Sequence, residues 1–81
     1  MLQVQLTSHL RAGAGGVESL EIEASTIREL FRKLIERYPG LEPHVKQGLA
    51  VSINGRVFRD DWREPIPDGS EVFLLPRISG G

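Results

Sequence analysis

The sequence predicts a two-layer α+β domain, in which a small β-sheet packs against one amphipathic helix. Apolar residues recur at helical spacing from Ile27 to Tyr38, with charged residues between them. Segments in which apolar and polar residues alternate flank this helix and indicate strands, most clearly at 2–7, 20–24 and 49–53. Because one apolar helix face needs one apolar sheet face to cover it, two layers are expected.

Length and composition predict a single soluble domain of 81 residues, 40% of them hydrophobic and 26% charged. The net charge of −1 gives no electrostatic reason to expect nucleic acid or an anionic membrane as a partner. The chain has no cysteine, which excludes disulfides, thiolate metal sites and thiol nucleophiles and favours a cytoplasmic location. The N-terminal residues lack a basic segment and a long apolar stretch, so we expect neither a signal peptide nor a transmembrane helix.

The first third of the chain predicts a β-hairpin followed by a capped helix. We expect 8–16, which contains three glycines, to be a flexible loop between two antiparallel strands. Thr26 and Glu29 have the spacing of a capping box, in which each side chain accepts a hydrogen bond from a backbone N–H group of the first turn. Pro39-Gly40 is expected to end the helix.

The second half predicts a further hairpin. We expect 41–48 to be a connection with at most one short helical turn. Asn54-Gly55, between the strand 49–53 and the short strand 56–58, is the dipeptide favoured by type I′ turns.

The last strand is the most apolar one. After an irregular crossing at 60–67 and a turn at Asp68-Gly69 comes the last strand, 71–75. Its residues 72–75 are apolar on both faces, which predicts a central strand. Pro76 cannot donate to a sheet ladder, so we expect pairing to stop there unless the strand is at an edge.

Alternation along this strand predicts which side chains face the helix. Val72 and Leu74 are expected to point toward it, which leaves Phe73 and Leu75 on the uncovered face. Contiguous apolar surface of this kind often marks a binding site. The alternative is that Trp62 or a loop covers both side chains.

Side chains capable of catalysis are scarce. The glycines at 13–16 match no phosphate-binding motif. His9 and His44 are far apart in sequence and lack the spacing of metal ligands, so we expect no metal site. Asp60 and Asp61 are expected to be solvated loop charges.

The C-terminal carboxylate remains as a candidate reactive group. A tail ending in Gly80-Gly81 is thin enough to extend through a narrow channel, and adenylation would turn its carboxylate into an acyl donor. Arg77 and Ile78 could be held at the mouth of such a channel, where binding energy helps positioning. A mobile chain end that happens to finish in two glycines is the simpler alternative.

Four motifs carry a resemblance to a known family. They are Val51-x-Ile53-Asn54-Gly55, Pro67-Asp68-Gly69-Ser70-Glu71-Val72, Leu74-Leu75-Pro76 and Ser79-Gly80-Gly81. Their types and order resemble the ubiquitin-like sulfur-carrier family of the MoaD/ThiS type. This family includes the small subunit of molybdopterin synthase and the carriers for thiamine and amino-acid pathways.

The resemblance implies a β-grasp fold, with a mixed sheet of four or five strands and one main helix at 1–76 and a flexible tail at 77–81. It also implies that the chain is not itself an enzyme and binds no cofactor. An E1-like adenylating enzyme, which binds ATP and Mg²⁺, would activate Gly81. A sulfur donor such as a sulfurtransferase would form a thiocarboxylate there, and a synthase would accept the sulfur.

The same resemblance assigns roles to the residues before Gly81. The segment that would pass into the partner's active site consists of Arg77, Ile78, Ser79 and Gly80. The surface that would meet the partner consists of Phe73, Leu75 and Pro76. Arg77 departs from the family, which often has a proline or a small residue at this position.

Two other functions stay open at the level of sequence. The chain could be a protein modifier that is joined to lysines through Gly81, since the same activation serves that reaction. It could also be a β-grasp interaction domain whose glycine ending has no role.

Overall fold

The computed structural model describes residues 1–59 and 61–76, which form one five-stranded sheet with one long helix. The strands are β1 (Leu2–Leu6), β2 (Ser19–Ile22), β3 (Leu49–Ile53), β4 (Arg56–Arg59) and β5 (Glu71–Pro76). The helices are α1 (Ser8–Arg11), α2 (Ile27–Arg37) and α3 (Glu42–Gln47), with 3₁₀ turns at Ala12–Ala14 and Pro39–Leu41. None of the helices described is long and apolar enough to span a membrane.

The sheet is mixed, and its last strand lies at the centre. The strand order is β2-β1-β5-β3-β4. The β1–β2 and β3–β4 pairs are antiparallel hairpins, whereas β5 is parallel to β1 and antiparallel to β3. This arrangement confirms the predicted α+β class, the central position of the last strand and the β-grasp topology.

The core combines the apolar stripe of α2 with one face of the sheet. Leu30 and Leu34 of α2 are fully buried, as are Val4 of β1 and Val72 and Leu74 of β5. Burial of such side chains is the main favourable term in folding. The predicted direction of Val72 and Leu74 is therefore confirmed.

The start of α2 is held by the chain segment that crosses back to β5. The N–H of Ile27 donates to the carbonyl of Glu64 at 3.1 Å. The next N–H along the helix donates to the carbonyl of Trp62 at 2.9 Å, and that of Glu29 donates to Thr26 Oγ1 at 3.2 Å. The first three N–H groups, which have no partner within the helix itself, are thus all satisfied.

The capping box differs from its predicted form in one respect. The Glu29 carboxylate accepts from the backbone N–H of Ser25 at 2.8 Å and from the Ser25 hydroxyl at 3.2 Å, and not from the N–H of Thr26. The hydrogen bond from the Ser25 backbone is the largest cause of a lowered pKa at Glu29. The bond from the Ser25 hydroxyl and the charges of Lys33 and Arg32 act in the same direction. The Glu29 carboxylate therefore holds Ser25, the residue before the N-cap, against the first turn of α2.

The expectation of a flexible loop at 8–16 is wrong. The segment forms α1 and a 3₁₀ turn, because Leu10 and Ala14, four residues apart, are both buried in the core. Positive φ occurs there only after the turn, at Gly15 and Gly16. Propensity and glycine content suggested a loop, but burial of one apolar face overrides them.

The connection after α2 is also more helical than expected. Pro39 and Gly40 follow the end of α2 and open a 3₁₀ turn, which leads directly into α3. Leu41 and Val45 bury their side chains in the core, and this burial explains why the segment is ordered.

The two faces of β5 predict different sensitivities to truncation. Leu74→Ala should lower the free energy of unfolding by about 2–5 kcal/mol, because it opens a cavity in the core. Phe73→Ala, on the opposite face of the same strand, should cost less than about 1 kcal/mol. Urea denaturation of both variants checks this, and equal losses would contradict the assignment of the faces.

The contacts of Glu29 predict part of the acid sensitivity. Its pKa is lower in the folded state, so its ionised form stabilises the fold above the pKa of the unfolded state. This contribution is lost as the pH falls through the folded pKa. Glu29→Gln keeps an oxygen acceptor but loses the charge, so the variant should be less stable than the wild type near neutral pH. The difference should shrink on acidification, and thermal unfolding across pH 2–7 measures it. A constant difference would contradict this account.

Candidate functional site

The sheet face that points away from α2 carries exposed apolar side chains. Phe73, which lies between the fully buried Val72 and Leu74, is 39% exposed, and Leu75 is half-buried. The alternation predicted for β5 is therefore observed along the described part of the strand.

The register across three strands enlarges this apolar surface. Ser52 of β3 lies between Phe73 of β5 and Val57 of β4, and Ala50 lies beside Leu75. Val57 is 52% exposed. Strands lie about 4.8 Å apart, so Val57 and Phe73 are roughly 10 Å apart across the short side chain of Ser52. We call these five residues the outer patch.

β3 departs from the expected alternation between a buried and an exposed face. All five of its residues are buried, including Ala50 and Ser52 on the outer face. Both have small side chains that are flanked on each side by longer ones from β4 and β5. They form the floor of the outer patch, and Val57 and Phe73 form its walls.

Trp62 does not cover the outer patch. Its ring packs edge-to-face on Phe31 of α2, with centroids 5.4 Å apart and ring planes at 82°. Phe31 belongs to the core on the other side of the sheet. The alternative that Trp62 covers Phe73 and Leu75 is thereby excluded, and Trp62 packs beside the core with 43% of its surface exposed.

The strand that carries the patch also leads to the tail. The pairing of β5 with β1 ends at Leu74, whereas its pairing with β3 continues to Pro76, opposite Leu49. At Pro76 the strand thus has a single neighbour, which explains why proline is tolerated in a central strand. The tail residues predicted to carry the chemistry, 77–81, lie outside the described residues, and so does the predicted domain boundary.

Side-chain hydrogen bonds connect two of the four motifs that carry the family resemblance, the one that ends in Asn54-Gly55 and the one at 67–72. Asn54 and Gly55 have φ of 50° and 89°, as the predicted type I′ turn requires. Asn54 accepts from the N–H of Glu71 at 2.9 Å and donates to the Ser70 hydroxyl at 3.2 Å. That hydroxyl donates to the carbonyl of Pro67 at 2.5 Å. The network fixes the start of β5 against the β3–β4 turn.

Of the two neighbouring aspartates, Asp61 is exposed, whereas Asp60 lies outside the described residues. His9 and His44, although far apart in sequence, meet in the fold, with ring centroids 5.4 Å apart. Val57, which the sequence reasoning did not single out, could have been found from alternation in β4, since its neighbour Phe58 packs against the core.

Comparisons with known proteins agree on the family. The ThiS family profile matches residues 4–81. The molybdopterin synthase sulfur carrier subunit of Pyrenophora tritici-repentis (strain Pt-1C-BFP) is 35% identical over 57 residues, which are 67% of this chain and 61% of that protein. The match thus spans less than two thirds of the relative's length.

Solved structures support the same fold. The putative molybdopterin converting factor subunit 1 from Pyrococcus furiosus superposes with a TM-score of 0.78 at 25% identity, covering 95% of this chain and 97% of that one. A chain of the Amycolatopsis orientalis BexX/CysO complex gives a TM-score of 0.79 at 24% identity, with both chains fully covered. Since the family profile covers nearly the whole chain and the β-grasp fold agrees with it, this protein belongs to the ThiS family of ubiquitin-like sulfur carriers of the MoaD/ThiS type.

Proposed function

We propose that this sulfur carrier works through the carboxylate of Gly81, which a partner adenylates and a sulfur donor converts to a thiocarboxylate. The observation that carries the proposal is the family match, which continues through the glycine ending at residue 81. In this role the chain is a co-substrate of its partner enzymes, and the cytoplasmic location predicted from its composition belongs to the same proposal.

The proposed chemistry has two steps, both in a partner's active site. A Gly81 carboxylate oxygen attacks the α-phosphorus of ATP, and pyrophosphate leaves. Hydrosulfide released by the sulfur donor then attacks the Gly81 carbonyl carbon and AMP leaves, so that the carboxylate becomes a thiocarboxylate with no change of oxidation state. Mg²⁺ and ATP are bound by the activating enzyme. Because the chain has no cysteine, a sulfur atom in transit has no thiol of this chain to bind to.

The fold supports delivery of the tail to a distant active site. Five residues follow Pro76 and can span at most about 17 Å when extended. They are attached to the central strand, whose inward side chains Val72 and Leu74 are fully buried. Because β5 is held in the core, the place where the domain docks determines where the tail begins. Correct positioning of reacting groups contributes a large part of an enzyme's rate enhancement.

The outer patch is the surface that we propose for docking. It lies on the strand that leads to the tail, so binding at Phe73 and Leu75 would place the last residues close to the partner. Arg59, which is exposed, is in register with Ala50 at the edge of the patch. We therefore expect the partner to present apolar side chains beside a carboxylate.

A synthase of the molybdopterin type is the acceptor that we propose for the sulfur. The curated relative is named as the sulfur carrier subunit of such a synthase, and its similarity to this chain supports the assignment. Thiazole formation and amino-acid sulfuration are the competing acceptor reactions. Incubating the thiocarboxylated chain with each purified acceptor enzyme would distinguish them.

Intact mass spectrometry tests the proposed chemistry. After incubation with the cognate activating enzyme, ATP, Mg²⁺ and a sulfur donor, the mass should rise by the difference between sulfur and oxygen. Deletion of Gly81, or one residue added after it, should abolish the gain while the thermal unfolding midpoint stays unchanged. An unchanged wild-type mass would contradict the proposal. A ladder of conjugates in cell lysate that depends on Gly80-Gly81 would instead support a protein modifier.

Kinetics of adenylation test the docking surface. Phe73→Ala should raise the KM of the activating enzyme for this chain about tenfold, since truncating a central apolar anchor typically costs more than about 1 kcal/mol. Gln3→Ala is the matched control, because Gln3 is exposed in β1 beside Glu71, at the far end of the sheet from Pro76. Equal KM values for both variants and the wild type would overturn the assignment of the patch.

A further inference from the structure

The two histidines of the chain meet at one end of the fold. His9 is exposed in α1 and His44 is half-buried in α3. Their ring centroids are 5.4 Å apart, and the ring planes cross at 79°. Sequence spacing argued against a shared site, but the two helices bring these rings together.

The 3₁₀ turn that follows α1 and the 3₁₀ turn that precedes α3 are in close backbone contact. A Cβ atom built on Gly13 would lie 2.7 Å from the carbonyl oxygen of Gly40, and one built on Gly40 would lie 2.5 Å from that of Gly13. Both distances are shorter than van der Waals contact, so only glycine permits this approach. Leu10 and Val45 fix the two helices to the core. The histidines are therefore presented by anchored elements.

The spacing suits a shared metal ion. A ring nitrogen bound to zinc lies 2.0–2.1 Å from it, which places each ring centroid about 3.2 Å from the metal. Centroids 5.4 Å apart then subtend roughly 115° at the metal, close to the tetrahedral angle. The edge-to-face arrangement requires one ring to turn. His9 is exposed, and the χ2 wells of histidine are broad, so its ring can do so without a change in the backbone.

The basic residues nearest to the two histidines in sequence are ion-paired. Lys46 of α3 is paired with Glu42 at 3.7 Å, and Arg11 of α1 is paired with Glu18 at 3.6 Å. Each basic residue near a histidine in sequence thus faces a carboxylate. Within 1–59 and 61–76, no group of three or more ligating side chains is close enough to hold a metal, so the protein supplies two ligands.

We propose that His9 and His44 form a two-histidine site for a divalent transition metal such as Cu²⁺, Ni²⁺ or Zn²⁺, with water in the other positions. Imidazole nitrogens suit these ions, whereas Mg²⁺ prefers oxygen ligands. The site lies near the end of β5 that leads to the tail, because α1 follows Leu6, which is in register with Leu74, and α3 precedes Leu49, which is in register with Pro76. The proposal is independent of sulfur transfer.

Calorimetric titration of the whole chain with CuCl₂, NiCl₂, ZnCl₂ and MgCl₂ tests the site. One equivalent of Cu²⁺ should bind more tightly than Ni²⁺ or Zn²⁺, and Mg²⁺ should not bind. His9→Gln and His44→Gln should each weaken binding at least about tenfold. The double variant should bind about as weakly as either single variant, because one remaining histidine does not hold the ion. Gln47→Ala, an exposed change on α3, is the matched control and should bind as the wild type does.

Spectroscopy gives a readout that does not depend on affinity. The electron paramagnetic resonance spectrum of the Cu²⁺ complex should show coupling to imidazole nitrogens that either histidine variant alters. Far-ultraviolet circular dichroism should show that both variants keep the fold. The proposal is overturned if no Cu²⁺ binds, or if binding is the same in both histidine variants as in the wild type, since the ion would then lie elsewhere.

Discussion

The two ladders of β5 are the constraint on which the rest of the structure depends. β5 pairs with β1 on one side and with β3 on the other, so it joins two hairpins that would otherwise be separate. Pairing the first strand with the last closes most of the chain into a loop. The conformational entropy lost in this closure must be offset by the burial of apolar side chains. Val4, Val72 and Leu74, fully buried at this junction, supply that burial.

The same strand has one side in the core and the other on the outer face of the sheet. Its inward side chains belong to the core, whereas Phe73 on the outward side is 39% exposed. Phe73 stands on this outward face beside Val57 because Ser52, between them, is too short to fill the gap. A strand held in this way gives the five residues after it a defined starting point.

Hydrogen bonds between distant segments complete the frame around this strand. The crossing segment caps α2 through the carbonyls of Trp62 and Glu64, and Asn54 holds the start of β5 through Glu71 and Ser70. Each of these contacts satisfies a polar group that would otherwise be costly to bury or to leave at a helix end. An irregular segment therefore takes part in defining the positions of both the helix and the central strand.

Features governed by neighbours along the chain could be predicted from the sequence. The period of apolar residues indicated α2 and the strands, and Asn54-Gly55 indicated a turn, because these signals act over a few residues. The role of the glycine ending stays a prediction. Alternation in β4 could have indicated that Val57 is exposed, but not that it lies beside Phe73 across Ser52, nor that His9 meets His44. Both of these placements depend on strand register and on backbone contact between segments far apart in sequence, which only the packed chain establishes.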